Sequence, residues 1–234
     1  MLQRDAPHFK LALSQGQLDA FEKYSRELIA WNERINLTSI IDPAEIAVKH
    51  FLDSLSVFPA LPSHPAQLSL IDVGSGAGFP GLPLKLVQST LQVTLLEATG
   101  KKVAFLQHLV ETLNLTGVTT LKARAEEAGQ QPAHREQYDV AVARAVAPLQ
   151  ILAEYTLPFV KVRGWVIIQK GQYPAEEVNA ARNAVGVLGG KIMDVVSITI
   201  PGLPAERHLV MIRKNKATPR LYPRRPGLPA QKPL

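Results

Sequence analysis

The chain of 234 residues contains no cysteine. This absence excludes disulfide bonds, cysteine-ligated zinc and iron–sulfur clusters. Long apolar runs are missing as well, because none approaches the ~20 residues of a membrane-spanning helix. The N-terminus lacks the apolar stretch of a secretory signal. We therefore expect a cytoplasmic protein without a membrane partner.

Acidic residues are missing from the C-terminal end. From Arg207 onward there are eight basic residues and no acidic one, whereas the first 206 residues hold 18 basic and 20 acidic residues. The net charge of +6 therefore originates at this end, where Tyr222 lies between Arg220 and the pair Arg224-Arg225. Basic groups around an aromatic ring suit phosphate contact and base stacking in RNA. A solvated, disordered end is the alternative.

Two helical segments open the chain. Residues 14–35 carry apolar side chains at a spacing of three to four, with Ser14 as a plausible N-cap. Asp42, Pro43 and Glu45 form the pattern of a helix start. Residues 59–67 are rich in proline and indicate a linker.

Strand-like and helix-like segments alternate after this linker. The strand-like runs lie near residues 68–73, 91–96, 118–122, 138–143 and 164–169. The helical stretches lie near residues 80–88, 100–114, 148–161 and 174–187. Two further β-rich segments, near 191–199 and 208–213, could form an antiparallel hairpin at one edge. This alternation predicts a doubly wound α/β fold with seven strands.

The same patterns divide the chain into three parts within one globular unit. An N-terminal helical extension with the linker covers residues 1–67, and the α/β domain covers 68–216. A basic tail rich in proline and arginine covers 217–234, and its composition does not favour packing by itself.

The turn after the first strand is rich in glycine. Asp72 ends an apolar run, and Gly74, Gly76 and Gly78 follow at alternate positions. Such glycines allow positive φ or the close approach of a ligand. A dinucleotide fingerprint needs a third glycine at the position of Phe79, so that template fails. The spacing D-x-G-x-G-x-G instead resembles the first motif of S-adenosylmethionine-dependent methyltransferases, although a purely structural turn would also use glycine.

Carboxylates follow the next two strands. Glu97 lies 23 residues after the first glycine of the turn and could accept hydrogen bonds from both ribose hydroxyls of a nucleoside cofactor. Alternatively, it is a surface residue paired with Lys101 or Lys102. Ala125 and Glu126 lie where an adenine ring would be held, although Glu126 could equally cap a helix start.

Arg144 ends the fourth strand and should therefore face the cleft in which a methyltransferase would transfer the methyl group. Enzymes that methylate exocyclic amines carry acceptor groups at this position, and arginine has no acceptor. We therefore predict that Arg144 binds an anion, either the cofactor carboxylate or an RNA phosphate. An ion pair with Glu126 or Glu154 is the alternative. Lys170, at the end of the fifth strand, is equally suited to phosphate contact and to solvent exposure.

Three polar residues of the N-terminal region are expected to be structural. They are His50, on a helix outside the core, and Asn36 and Thr38, near the end of the first long helix. No pair of histidines with carboxylates has metal-ligand spacing, so we expect no metal ion.

Taken together, these segments resemble the ribosomal small-subunit methyltransferase G family, also called glucose-inhibited division protein B. The matching segments are Asn36–Thr38, His50–Leu55, Asp72–Gly81, Arg144–Leu149, Lys170–Gly171 and Pro219–Pro229. The Gly-Phe-Pro-Gly end of the glycine motif and the proline–arginine tail are the most specific of them.

The resemblance implies a seven-stranded, Rossmann-like class I methyltransferase fold that uses S-adenosylmethionine. It implies methylation of guanine N7 in the decoding-region loop of 16S ribosomal RNA, with the naked RNA or the small-subunit particle as partner. Arg144 becomes the candidate catalytic residue. The cofactor contacts it implies are Gly74, Phe79, Glu97, Ala98, Thr99, Ala125, Glu126 and Arg144.

Three other function classes remain as alternatives. A nicotinamide oxidoreductase would use the same kind of sheet, but the glycine spacing argues against it. A small-molecule methyltransferase would not explain the basic C-terminal end. A non-catalytic RNA-binding or assembly protein would keep that end and tolerate loss of Gly74 or Gly76.

Overall fold

A computed structural model of the chain describes residues 1–62, 67–144, 147–171 and 174–234. Residues 63–66 of the expected linker lie outside the described residues, as do Ala145 and Val146 of the segment that follows the fourth strand.

The described ranges contain one sheet of seven strands. The strands are β1 (Ser69–Val73), β2 (Gln92–Glu97), β3 (Val118–Lys122), β4 (Tyr138–Arg144), β5 (Val160–Lys170), β6 (Gly190–Ile198) and β7 (Arg207–Lys214). Their order across the sheet is β3-β2-β1-β4-β5-β7-β6. Strands β1 to β5 pair in parallel, whereas β7 is antiparallel to both β5 and β6. The predicted doubly wound sheet and its edge hairpin are confirmed.

Helices cover both faces of this sheet. The α-helices are α1 (Leu2–Asp5), α2 (Gln15–Asn32), α3 (Pro43–Ile46), α4 (Asp53–Leu55), α5 (Gly81–Val87), α6 (Gly100–Thr112), α7 (Ala125–Ala128), α8 (Leu149–Thr156), α9 (Ala175–Val187) and α10 (Leu228–Gln231). A π-helical segment, Ala47–Leu52, connects α3 to α4 without a break. Short 3-10 turns lie at Ala6–Phe9, Phe58–Ala60 and Leu157–Phe159.

Both predicted helix starts are confirmed. Ser14 caps α2 in a capping box with Gln17, and the Asp42 carboxylate accepts the Glu45 amide at 2.9 Å. The helix expected over 148–161 is shorter than predicted. It ends at Thr156 because Pro158 cannot donate the next helical hydrogen bond, and β5 begins directly after the 3-10 turn.

Alternating side chains divide the core into two layers. Leu70, Val140 and Val142 face the layer built with α2, α5 and α6. Ile71 and Ala141, one position away on the same strands, face the layer built with α8 and α9. This period of two is what a sheet buried on both faces requires.

Aromatic side chains join the N-terminal helices to the glycine turn. The Tyr24 ring stacks on Phe79 at 5.4 Å between centroids, and Phe51 lies 5.1 Å from Tyr24. The Tyr24 hydroxyl donates to the Ala77 carbonyl at 2.6 Å. The N-terminal helices therefore support the turn directly.

The basic tail packs against the α/β domain. The Arg135 guanidinium donates to the carbonyls of Thr218 and Tyr222, each at 2.7 Å, and the Gln130 amide donates to the Pro223 carbonyl at 2.7 Å. At the end of β7, just before the tail, the buried Lys214 ammonium lies 3.2 Å from a Glu136 carboxylate oxygen. Burial lowers the pKa of Lys214 to about 8. A segment unsuited to packing alone is thus held by partners on the domain.

The glycine turn needs its glycines. Gly74, Gly76 and Gly78 have φ values of 74°, 59° and 98°. The buried Asp72 carboxylate accepts the Gly81 amide at 2.8 Å and so fixes the far end of the turn. Burial raises the pKa of this carboxyl group to about 7.

Replacing Gly78 with alanine should destabilise the protein by about 3 kcal/mol, because the new Cβ combines backbone strain with a clash. That atom would lie 2.6 Å from the Tyr24 hydroxyl and from Leu82. Gly76→Ala is the matched control, because its Cβ would meet only a carbonyl oxygen at 3.9 Å, and it should cost about 1 kcal/mol. Urea unfolding measures both costs, and equal losses would contradict the role of packing at Gly78.

Candidate active site

A cavity of about 460 Å³ opens at the carboxyl ends of β1 to β4. Strand order reverses between β1 and β4, and ligands bind at such switch points in open α/β sheets. The lining residues are Val73, Gly74, Gly76, Leu96, Glu97, Ala98, Lys102, Ala123, Arg124, Ala125, Glu126, Arg144 and Tyr155. We call this space the first cavity. It brings together six of the eight residues expected to contact a cofactor.

Glu97 lies in the wall of the first cavity with 8% of its surface exposed. One carboxylate oxygen accepts the Gly76 amide at 3.0 Å, and the other accepts the Thr99 amide at 2.8 Å. The alternative interpretation, an exposed residue paired with a lysine, is wrong. Each oxygen has a further lone pair, so the carboxylate can accept from a ligand without losing its backbone partners.

Ala125 and Glu126 begin α7 on the adenine side expected from the sequence. Glu126 is buried, and one of its carboxylate oxygens accepts the Gly227 amide of the tail at 2.9 Å. Tyr155 on α8 completes this side of the first cavity. Burial, together with the nearby Glu126 carboxylate, raises the pKa of Tyr155, so its hydroxyl stays protonated and able to donate.

Arg144 lies at the boundary between the first cavity and a second one. Its guanidinium donates to the Asp53 carboxylate at 2.8 Å and lies 4.8 Å above the centre of the Phe79 ring. The ion pairs considered from the sequence are wrong. Glu126 accepts the Gly227 amide instead, and Glu154 pairs with Arg224.

The second cavity has a volume of about 360 Å³. Its lining residues are Lys49, His50, Asp53, Arg144, Gln169, Lys170, Gly171 and Arg207. The buried Asp53 carboxylate accepts from Arg144 with one oxygen and from Arg207 with the other, at 2.8 and 3.1 Å. One carboxylate thus serves two guanidinium groups, and the lining keeps an excess of positive charge.

His50 and Lys170 lie in the wall of the second cavity. The sequence predicts a structural role for His50, and either phosphate contact or solvent exposure for Lys170. His50 stacks on Phe79 at 4.6 Å, and its Nε2 lies 2.8 Å from the Thr38 hydroxyl. Burial and the charge of Arg144 lower the pKa of His50 to about 4, so the ring is neutral near pH 7. Lys170 pairs with Glu177 at 2.7 Å, with only 15% of its side chain exposed.

Two residues expected at the cofactor are not part of the lining of the first cavity. Phe79 is 5% exposed, and its ring lies between Tyr24, His50 and Arg144. Thr99 contributes its amide to Glu97 and precedes α6. Phe79 therefore positions the boundary residue Arg144.

Asp53 and Arg207 line the second cavity, and neither is predicted from the sequence as a site residue. Asp53 lies within the matched segment His50–Leu55, and Arg207 was noted only as the start of the basic end. The sequence signal available for Asp53 is a carboxylate three residues after His50, following the apolar Phe51 and Leu52.

Within the described residues, no group of three or more histidine, cysteine, aspartate or glutamate side chains could hold a metal ion. The helices of these same residues include none with the length and apolar character required to cross a membrane.

A family model described as rRNA small subunit methyltransferase G matches residues 17–210. Among curated proteins, the chain is 52% identical over 234 residues to ribosomal RNA small subunit methyltransferase G of Roseiflexus sp. (strain RS-1), covering 100% of this chain and 99% of that protein. It is 44% identical over 233 residues to the protein of the same name from Desulforamulus reducens, covering 100% and 97%.

Solved structures agree on the fold alone. A fibrillarin pre-rRNA processing protein of Methanococcus jannaschii superposes with a TM-score of 0.51 at 18% identity, covering 64% of this chain and 68% of that one. Full-length identity to the curated proteins and the family match together decide the assignment: the chain belongs to the rRNA small subunit methyltransferase G family.

Proposed function

We propose that the protein transfers a methyl group from S-adenosylmethionine to N7 of a guanine in small-subunit ribosomal RNA. The observation that carries the proposal is the position of Arg144 between two cavities, one with features suited to a nucleoside and one basic. Relatives at 44–52% identity bear a name that gives small-subunit ribosomal RNA as the acceptor. A guanine in the decoding-region loop is the proposed target.

The residues of the first cavity fit the cofactor. The Gly74 and Gly76 backbone allows close approach, and Glu97 offers lone pairs to the two ribose hydroxyls. Ala98 continues this wall, and the Thr99 amide, outside the lining, holds the Glu97 carboxylate in place. Ala125 and Glu126 suit the adenine, and Arg144 suits the cofactor carboxylate. The fit rests on the positive φ of the glycines and on the fixed orientation of the Glu97 carboxylate.

Methyl transfer to guanine N7 requires the protein mainly to align the two reactants. S-adenosylmethionine supplies a methyl group on a positively charged sulfur, and guanine N7 has a free lone pair and no proton. No general base is therefore required. This agrees with the lowered pKa of His50, which makes its ring a weak base, and with an Asp53 carboxylate that already accepts from two arginines. Holding the two reactants in line can lower the barrier by ~7–11 kcal/mol.

The second cavity suits the RNA. Arg144, Arg207 and Lys170 bring positive charge to the edge of the sheet where the target base would enter, and such groups attract phosphates. Arginine offers donors only, so it does not compete with N7 for the methyl group. We assign Arg144 to the alignment of the two reactants.

The function is tested by incubating the protein with labelled S-adenosylmethionine and small ribosomal subunits that lack base modification. We expect label in 7-methylguanosine at one site. Label in another nucleoside, or no label despite measured cofactor binding, would contradict the proposal. Naked ribosomal RNA as a parallel substrate shows which form is methylated.

Glu97→Ala should weaken binding of S-adenosylmethionine by at least on the order of 1–3 kcal/mol, because the ribose hydroxyls lose their acceptors. The Gly76 and Thr99 amides lose the same acceptor, which adds to the loss. Calorimetric titration gives the dissociation constant. Glu127→Ala is the matched control, because this carboxylate lies in the first turn of the neighbouring α7 without lining the cavity. An affinity unchanged by Glu97→Ala would refute the ribose role.

Neutralising the exposed tail residues Arg220, Arg225 and Lys232 with glutamine should lower RNA affinity and flatten its salt dependence. Each lost phosphate contact reduces the slope of log K against log salt by about 0.7–0.9. The control replaces the exposed Lys10, Arg26 and Arg182 instead. If both triple variants show the same slope as the unmodified protein, the tail does not contact RNA.

A further inference from the structure

We propose that the basic tail positions the adenine side of the first cavity, and that Arg224 is a positioning residue for cofactor binding. This inference rests on the proposed function. It differs from the RNA role expected of the tail, because the contacts of Arg224 point inward rather than to solvent.

The first tail contact is an ion pair between Arg224 and Glu154 of α8. The Arg224 guanidinium donates to both carboxylate oxygens of Glu154, with distances from 2.6 to 3.1 Å, and the Arg224 amide donates to the same group at 2.7 Å. The Glu154 side chain is 1% exposed and that of Arg224 is 15% exposed. Contact with Glu154 raises the pKa of Arg224. Removing one partner would leave a buried, uncompensated charge.

Glu154 is the direct chain neighbour of Tyr155, which lines the first cavity. A shift of the Glu154 carboxylate toward water would therefore rotate or displace this turn of α8. Because α8 is only eight residues long, such a displacement cannot be confined to its outer face. The position of the Tyr155 ring thus depends on Arg224.

A second contact holds α7, the other helix on this side. Glu126 lines the first cavity, and its carboxylate accepts the Gly227 amide, three residues after Arg224. The Gln130 side chain, just beyond α7, donates to the Pro223 carbonyl. The Pro223 ring also packs beside Gly129, where a Cβ would lie 2.9 Å from it. Residues 223–227 therefore bridge α7 and α8 from outside the cavity.

The charges of the tail thus divide by direction. Arg224 forms an ion pair with the buried Glu154, whereas Arg220 and Arg225 are exposed to solvent. The inward residue should affect the cofactor and the outward residues should affect RNA. This division gives a pair of adjacent arginines with opposite expected effects.

The experiment measures the dissociation constant for S-adenosylmethionine, the KM values for cofactor and RNA, and the thermal midpoint of five proteins, the unmodified protein and four variants. Arg224→Ala should weaken cofactor binding about tenfold and raise the KM for cofactor, with the KM for RNA within about twofold. Arg225→Ala is the matched control, since it removes the same charge one residue away, and its cofactor affinity should not change. Arg224→Lys, which keeps the charge but loses the forked contact, should lie between Arg224→Ala and the unmodified protein.

Val185→Ala is the control that distinguishes a general loss of stability from a specific loss of cofactor binding. It truncates a buried side chain on α9 that does not line the first cavity. This variant should lower the thermal midpoint without changing cofactor affinity. If Arg224→Ala lowers the midpoint and leaves cofactor affinity unchanged, the tail only stabilises the fold and the inference is overturned. If Arg224→Ala does not fold, Arg224→Lys decides, and an unchanged affinity there overturns it too.

The outcomes also separate this inference from the proposed function. An unmodified protein that fails to bind S-adenosylmethionine overturns both. An unmodified protein that binds the cofactor and methylates guanine N7, with Arg224→Ala behaving like Arg225→Ala, overturns only the role assigned to Arg224.

Discussion

The carboxylate of Glu97 is the contact on which the carboxyl edge of the sheet depends. It accepts amides from the turn after β1 and from the turn after β2, so one side chain fixes the relative position of two loops. Asp72 performs the corresponding task at the far end of the glycine turn. Charged acceptors of this kind make stronger hydrogen bonds than neutral ones, and they leave the loops little freedom to move apart. Contacts within the protein therefore shape this wall of the first cavity.

In the second cavity, Asp53 is likewise a single carboxylate that joins two distant parts of the chain. This buried carboxylate joins Arg144 at the end of β4 to Arg207 at the start of β7, residues that are 63 positions apart in the chain. The Arg144 guanidinium also lies over the Phe79 ring. The arginine is thus held both by a charge and by a ring. Its place between the cavities follows from tertiary packing rather than from its own strand.

Local sequence patterns were sufficient for most of the fold. Apolar alternation and glycine spacing correctly predicted all seven strands, the edge hairpin and the turn after β1, because each pattern reflects contacts within a few residues. The same reasoning failed for the partners of Arg144 and for the direction of Arg224. Those pairs, Arg144 with Asp53 and Arg224 with Glu154, connect residues 91 and 70 positions apart. Composition describes the tail as basic and rich in proline, and it contains no information on which carboxylate is buried opposite each arginine.

The excess positive charge of the second cavity also bears on how the reaction ends. A guanine base is neutral when it enters, and methylation at N7 gives it a positive charge. Arg144 and Arg207 share one carboxylate, so the described residues of this lining include no spare anion with which to hold the new cation. With the base placed as proposed, the same side chains would bind the modified base less well than the unmodified one. Release of the product and discrimination against RNA that is already methylated would both follow from this excess of positive charge.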